Sequence, residues 1–218
     1  GDTGDAIAIS GDSLNLNVLQ DAGGNNMITS DGSGNLTVPS GLGGAMKLLA
    51  TNTFSGTTTS NFTANIDSTY DVYIFRYNPI YPASAVDFTF NGSTDGGSNY
   101  NITKTTTYFQ TWHQESDAGY DLSYQTGRDL AQSTSYQILM STLDTASDAN
   151  TSGELHLFNP SSTTYVKQFY AISTGMESGL GGGTLSAYVG GMLETKTAIN
   201  AISFKMASGN MDGEIKMY

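Results

Sequence analysis

Tyr70-Asp71-Val72-Tyr73-Ile74-Phe75-Arg76-Tyr77 is the most strand-like stretch of this chain. Aromatic and β-branched residues pack well on a pleated surface, and the β-branched ones lose rotamer freedom in a helix. Side chains alternate faces along a strand. Tyr73, Phe75 and Tyr77 therefore share one face, and Val72, Ile74 and Arg76 share the other. Both faces are largely apolar, so the stretch reads as a central strand covered on both sides. Pro79 and Pro82 follow. Proline cannot donate to a ladder, so the strand is expected to end there.

Outward from this stretch the pattern stays β. Met46 to Thr53 and Phe62 to Ile66 are expected strands before it. After it come Val86 to Phe90, with Val86, Phe88 and Phe90 inward, and then Asn101 to Trp112, Tyr136 to Thr142, Glu154 to Phe158, Tyr165 to Ser173, Leu185 to Val189, Ala198 to Met206 and Glu214 to Tyr218. Asn91-Gly92, Asp95-Gly96-Gly97 and Ser208-Gly209-Asn210 supply turns. Glu115 to Ser133 reads as a polar loop holding either a short strand near Leu122-Ser123-Tyr124 or one helical turn at Arg128 to Ala131. Short strands at this spacing predict an all-β fold, a jelly-roll-like antiparallel β-sandwich over residues 45–218.

Residues 1–44 differ. They contain no aromatic and no basic residue, and short alternating pieces lie between Gly, Asp and Ser. Ile7 and Ile9, then Leu14, Leu16 and Val18, then Leu36 and Val38 mark those pieces. A linker has no need to alternate, so the segment is expected to be an extended N-terminal arm that docks on a neighbouring subunit, the alternative being a flexible tail. Gly41-Leu42-Gly43-Gly44 reads as the hinge.

Composition narrows the function. Twenty acidic and eight basic residues give a net charge of −12, yet only 13% of the 218 residues are charged. Neutralising a phosphate backbone takes Lys and Arg, so nucleic acid is not an expected partner. No apolar run reaches the roughly 20 residues of a membrane helix, and no membrane insertion is expected. There is no Cys, which excludes disulfides and thiolate metal sites. No metal site and no cofactor are expected. Asp31-Gly32-Ser33-Gly34-Asn35 opens like a calcium loop, but Leu36 and Leu42 stand where Gly and a bidentate Glu belong.

Catalytic signals are weak. His113 and His156 are the two histidines, and His113 sits in Trp112-His113-Gln114-Glu115. A His beside a carboxylate can act as a base, but neighbours on a strand point to opposite faces. Glu115, Asp117 and Asp121 could supply a glycosidase pair only at a separation that sequence does not fix. The expectation is no enzyme and no catalytic residue. Trp112, Tyr108, Tyr120 and Tyr124 could form an aromatic platform for a sugar or a protein partner.

Three stretches resemble surface structural proteins of tailed bacteriophages, particularly marine ones. They are Ile66 to Phe75 leading to Pro82, Ser93-Thr94-Asp95-Gly96-Gly97-Ser98-Asn99-Tyr100, and Ala198 to Phe204 with Gly209-Asn210, Gly213 and a last strand ending at Tyr218. The resemblance implies a virion surface protein, either a fibre or spike or a capsid decoration protein, commonly a homotrimer. The partners it implies are other copies of the chain and virion proteins such as the major capsid or tail proteins. The arm's alternation favours fibre or spike. The rival readings are a receptor-recognition module binding a host surface glycan, and a polysaccharide depolymerase. The family ending runs a little past Tyr218, so the sequence is expected to be part of a longer one.

Overall fold

The structure, a computed structural model, describes residues 18–30, 32–33, 36–37 and 46–218. They form strands and turns with no helix among them. The chain divides into two compact units, residues 1–47 and 48–218.

In the first unit β1 (Val18–Gln20), β2 (Asn26–Ser30) and β3 (Leu36–Thr37) make an antiparallel sheet in that order. Asp21 shapes the first turn, its Oδ1 accepting from the Gly23 and Asn25 N–H groups at 2.8 and 2.9 Å. Of the predicted docking residues, Val18 lies exposed in β1 and Leu36 falls in β3. Ile7, Ile9, Leu14, Leu16 and Val38 lie outside the described residues.

The second unit carries β4 (Ala50–Thr57), β5 (Thr59–Phe62), β6 (Val72–Pro82), β7 (Phe88–Ser93), β8 (Lys104–His113), β9 (Tyr120–Tyr124), β10 (Gln137–Met140), β11 (Thr151–Phe158), β12 (Lys167–Met176), β13 (Thr184–Leu193), β14 (Ala201–Met206) and β15 (Met211–Met217). They make two antiparallel sheets, β10-β7-β14-β5 and β4-β15-β6-β11-β12-β13-β8-β9.

The two sheets share one core. Tyr73, Phe75 and Tyr77 of β6 are fully buried, as are Phe88 and Phe90 of β7 and Phe204 of β14. Phe204 is the hub. Its ring centroid lies 5.5 Å from Phe75, 6.0 Å from Phe88, 6.3 Å from Phe62 and 6.4 Å from both Tyr77 and Phe90. Phe90 also meets Phe169 of β12, edge to face at 4.9 Å. Aromatic pairs at these separations add to what area burial contributes.

Two buried lysines tie loops to this core. Lys104 Nζ donates to Asn91 Oδ1 and to the Ile102 carbonyl, both at 2.7 Å. Lys167 Nζ donates to the carbonyls of Thr195 and Thr197 at 3.0 and 2.8 Å. Among the described residues neither has a carboxylate partner, and burial lowers both pKa values.

Several expectations need correction. β6 does not stop at Pro79 but runs through it to Pro82. Both neighbours shift register there, between Thr151 and Gly153 on β11 and between Gly213 and Ile215 on β15. The absent proline N–H thus falls at an irregularity, where no ladder bond is required. β5 ends at Phe62, and Asn65 at φ 63° turns the chain where a strand was expected to continue. The first strand of this unit begins at Ala50, and Met46 to Leu48 are exposed. Of the two alternatives for Glu115 to Ser133, the short strand forms, as β9, and the helical turn at Arg128 to Ala131 does not.

The correction with most consequence concerns cover. β6 is paired on both edges, as a central strand is, but only its Tyr73–Phe75–Tyr77 face is buried. Val72 and Arg76 on the opposite face are exposed. Within residues 48–218 no element covers the outer face of the eight-stranded sheet.

Candidate functional site

That open face is the most distinctive surface of the molecule, and cross-strand register builds it. One row runs Tyr124, Phe109, Tyr188, Ile172, Glu154, Arg76, Lys216, Thr51 across all eight strands. The next runs Thr107, Gly190, Tyr170, His156, Ile74. Leu122, Thr111, Ser186, Thr174 and Ser152 make a third. The face therefore has an apolar part centred on β12, β13, β8 and β9 and a charged part on β11, β6 and β15.

The apolar part is ordered by ring stacking. Phe109 and Tyr188 stack at 4.9 Å with 6° between planes, and His156 and Tyr170 at 4.4 Å with 14°. Leu122 is 68% exposed, Phe109 42% and Ile172 40%. Inward on the same strands lie Phe169 and Ala171 of β12 and Leu185, Ala187 and Val189 of β13, all buried. Apolar side chains therefore stand on both sides of this part of the sheet.

The charged part surrounds a shallow cavity of about 580 Å³, lined by Arg76, Asn78, Glu154, Ile172, Glu214 and Lys216 among others. Arg76 Nε lies 3.7 Å from Glu154 Oε2. Lys216 Nζ lies 2.7 Å from Glu214 Oε1, and Thr53 Oγ1 donates to Glu214 Oε2 at 3.0 Å. Hydrogen bonding from Lys216 and then Thr53 holds the Glu214 carboxyl below its usual range, and Glu214 in turn raises the Lys216 ammonium. Ser152 Oγ donates to Asn78 Oδ1 at 2.6 Å at the cavity margin. Each cation here has an acid beside it, so the cavity floor carries both signs in balance.

No protein-family model matches the chain, and no curated protein or solved structure matches it.

The predicted aromatic platform splits in two. Tyr108 is fully buried on the inner face of β8, with the Arg128 guanidinium carbon 5.8 Å from its ring centre. Burial pushes its phenol up to about 12. It cannot touch a ligand at the surface, which corrects that assignment. Trp112, four residues on, shares the inner face and packs against the core. Tyr120 and Tyr124 lie exposed on β9, at the sheet edge. Tyr124 donates its hydroxyl to Asp129 Oδ2 at 2.6 Å. The period-2 rule already separates Tyr108 and Trp112 from Phe109, Thr111 and His113; grouping all four aromatics overlooked it.

His113 and Asp117 approach to 3.0 Å with both side chains largely exposed. That geometry lacks the burial with which active sites retune their acids and bases. His156 lies on the outer face, stacked on Tyr170 and with its Nε2 2.8 Å from Glu154 Oε1, which leaves its side chain 14% exposed. Among the described residues no cluster of three or more His, Asp or Glu is placed to hold a metal ion.

Proposed function

We propose that this chain is a non-enzymatic structural protein displayed on the surface of a bacteriophage particle, as a fibre or spike or as a capsid decoration protein. It works as a homotrimer, with the segment 1–44 docking on a neighbouring copy and with major capsid or tail proteins as further partners. Residues 45–218 are a jelly-roll-like sandwich. The chain's repeated crossing between the two sheets, at β4–β5–β6–β7–β8 and again at β13–β14–β15, supports that topology.

The observation that carries the reading is the apolar part of the outer face, where Phe109, Leu122, Tyr170 and Ile172 are left exposed by residues 48–218. Monomeric proteins rarely leave an apolar patch of more than a few hundred Å² uncovered. Of the stretches that resemble phage surface proteins, Ile66 to Phe75 leads into β6, Ser93 to Tyr100 leaves the end of β7, and Ala198 to Tyr218 carries β14 and β15; β6 lies beside β15, and β7 beside β14. A scarcely charged, disulfide-free, acidic surface suits a coat component. Immuno-electron microscopy of particles from the encoding genome tests this. Gold at the head or tail surface is expected, and particles that lack the chain would overturn the reading.

A glycan-binding module is the second reading, favoured by one observation. Tyr120 is 76% exposed and Tyr124 51%, so their rings are free to stack on a sugar. Binding on a glycan array that disappears in Tyr120→Ala would establish it. Trp112→Ala is the wrong probe, because Trp112 belongs to the core.

A further inference from the structure

We propose that the outer face of the eight-stranded sheet is the surface on which a second copy of this chain seats, with the Phe109–Tyr188–Ile172 row at the centre of the contact. The proposal rests on the reading that the chain assembles with itself, and it names the surface that does so.

The composition of the strands calls for a cover that residues 48–218 do not supply. A strand buried on both faces reads as a near-continuous apolar run, whereas one with a wet face alternates. β12 reads Phe169-Tyr170-Ala171-Ile172, apolar in both registers. β6 reads Val72-Tyr73-Ile74-Phe75. These have the composition of strands with two dry faces, yet Tyr170, Ile172 and Val72 are 38–40% exposed on the single chain. Seven of the exposed large apolar side chains, Val72, Phe109, Tyr120, Leu122, Tyr124, Tyr170 and Ile172, lie on strands of this one sheet.

Charge points to a copy of the same chain. At −12 the molecule repels itself, and two copies can approach closely only where the local charge is low. In the cross-strand rows Arg76 and Lys216 stand against Glu154 and Glu214, which sums to zero. The same alternation of signs is self-complementary: a neighbouring copy can set its Glu154 against Arg76 or Lys216. In a three-fold assembly each contact is heterologous, so the apolar row of one copy seats against a different part of the same face on the next.

Area is sufficient. Eight strands about 4.8 Å apart and averaging roughly 28 Å in length give a face of roughly 900 Å². A standard stable interface buries about 800 Å² on each partner. Ring geometry argues against a sugar at the centre of the face. Phe109 and Tyr188 cover one another's faces, as do His156 and Tyr170. Stacked rings offer rims that interdigitate with other side chains, not the open faces that a pyranose needs.

The test is sedimentation velocity across a dilution series of the full chain, with three variants. Phe109→Glu and Leu122→Glu place a like charge in every copy of the contact. Tyr165→Glu makes the same change at a 70% exposed tyrosine in the loop between β11 and β12. Far-ultraviolet circular dichroism checks the fold of each, and Leu122 is exposed enough that its variant keeps the native fold if Phe109→Glu does not. The expected result is an oligomeric parent, association weakened roughly a hundredfold or more by the face variants, as for central interface anchors, and no change in Tyr165→Glu. An oligomer indifferent to both face variants would overturn this assignment while leaving self-assembly standing. A parent that stays monomeric throughout would overturn the assignment and the assembly reading together.

Discussion

Phe204→Ala is expected to lower the free energy of unfolding by about 3–5 kcal/mol, the usual cost of removing a buried aromatic ring. The reasons are geometric. Phe204 has no exposed surface, and five aromatic rings from both sheets lie within 6.4 Å of its centroid. None can collapse into the space without breaking its own pairs. For a chain of this size, each kcal/mol corresponds to roughly 2–4 °C, so the melting temperature should fall by about 6–20 °C. Tyr165→Ala, at the exposed loop, should stay within about 0.5 kcal/mol of the parent. Urea denaturation followed by circular dichroism measures both. A loss below about 1 kcal/mol for Phe204→Ala would mean that the two sheets are not joined through this cluster.

A second large effect comes from Lys104. Its side chain is fully buried, and burial pulls its pKa from 10.5 to about 7. In the unfolded chain the group titrates at the ordinary 10.5. Below about pH 7 both states hold the proton, and the unfavourable contribution of a buried ammonium is constant. Between the two values the unfolded chain holds a proton that the folded chain has released. Rising pH then favours the folded state, by up to about 1.4 kcal/mol per pH unit. From about pH 7 to about pH 10 this amounts to roughly 4 kcal/mol. Lys167, also lowered by burial, adds a slope of the same sign.

The gain reverses in stronger alkali. Burial raises the phenols of Tyr77, Tyr108 and Tyr73, so the unfolded chain loses those protons first and stability drops. Stability should therefore be greatest on the alkaline side of neutrality. Lys104→Met keeps the volume and removes the titration. It strips the Ile102 carbonyl of a donor, at a cost that does not depend on pH, while Asn91 Oδ1 still accepts from the Gly92 N–H at 2.8 Å. The expected readout is a flatter slope of unfolding free energy between about pH 7 and about pH 10. Equal slopes in parent and variant would show that Lys104 stays charged in the fold.

Much of the architecture was legible in the sequence because period-2 alternation reports burial directly. Tyr73, Phe75 and Tyr77 are read to a single face, as are Phe88 and Phe90, and each is buried. The expectation of strands from Ala198 to Met206 and Glu214 to Tyr218 matches β14 and β15 to within three residues. The misses have local causes. Pro79 looked like a terminator because the compensating register shifts sit on β11 and β15, far away in sequence. Asn26–Ser30 went unread because Asn, Thr and Ser dominate it, and only Met27 and Ile28 mark it as a strand.

The candidate site was harder to see. Tyr70 to Tyr77 correctly signalled two apolar faces, but composition cannot say whether the second is covered by the same chain or by another. Phe109, Tyr170, Ile172 and Tyr188 come together only through the β12–β13–β8 register. Arg76 and Lys216 are separated by 140 positions and become neighbours only through the β15–β6 ladder. What could have been read is that β12 is apolar in both registers, Phe169 and Ala171 alternating with Tyr170 and Ile172. Apolar side chains in both registers are the composition of a strand with two dry faces.

Hydroxyl-radical footprinting of the full chain, assembled and then diluted, reads that face most directly. Phe109, Leu122, Ile172 and Tyr188 are expected to oxidise markedly more slowly in the assembled sample, while Tyr165 reacts equally in both. Equal rates for the four face residues, at every concentration at which the chain is folded, would rule out the proposed contact.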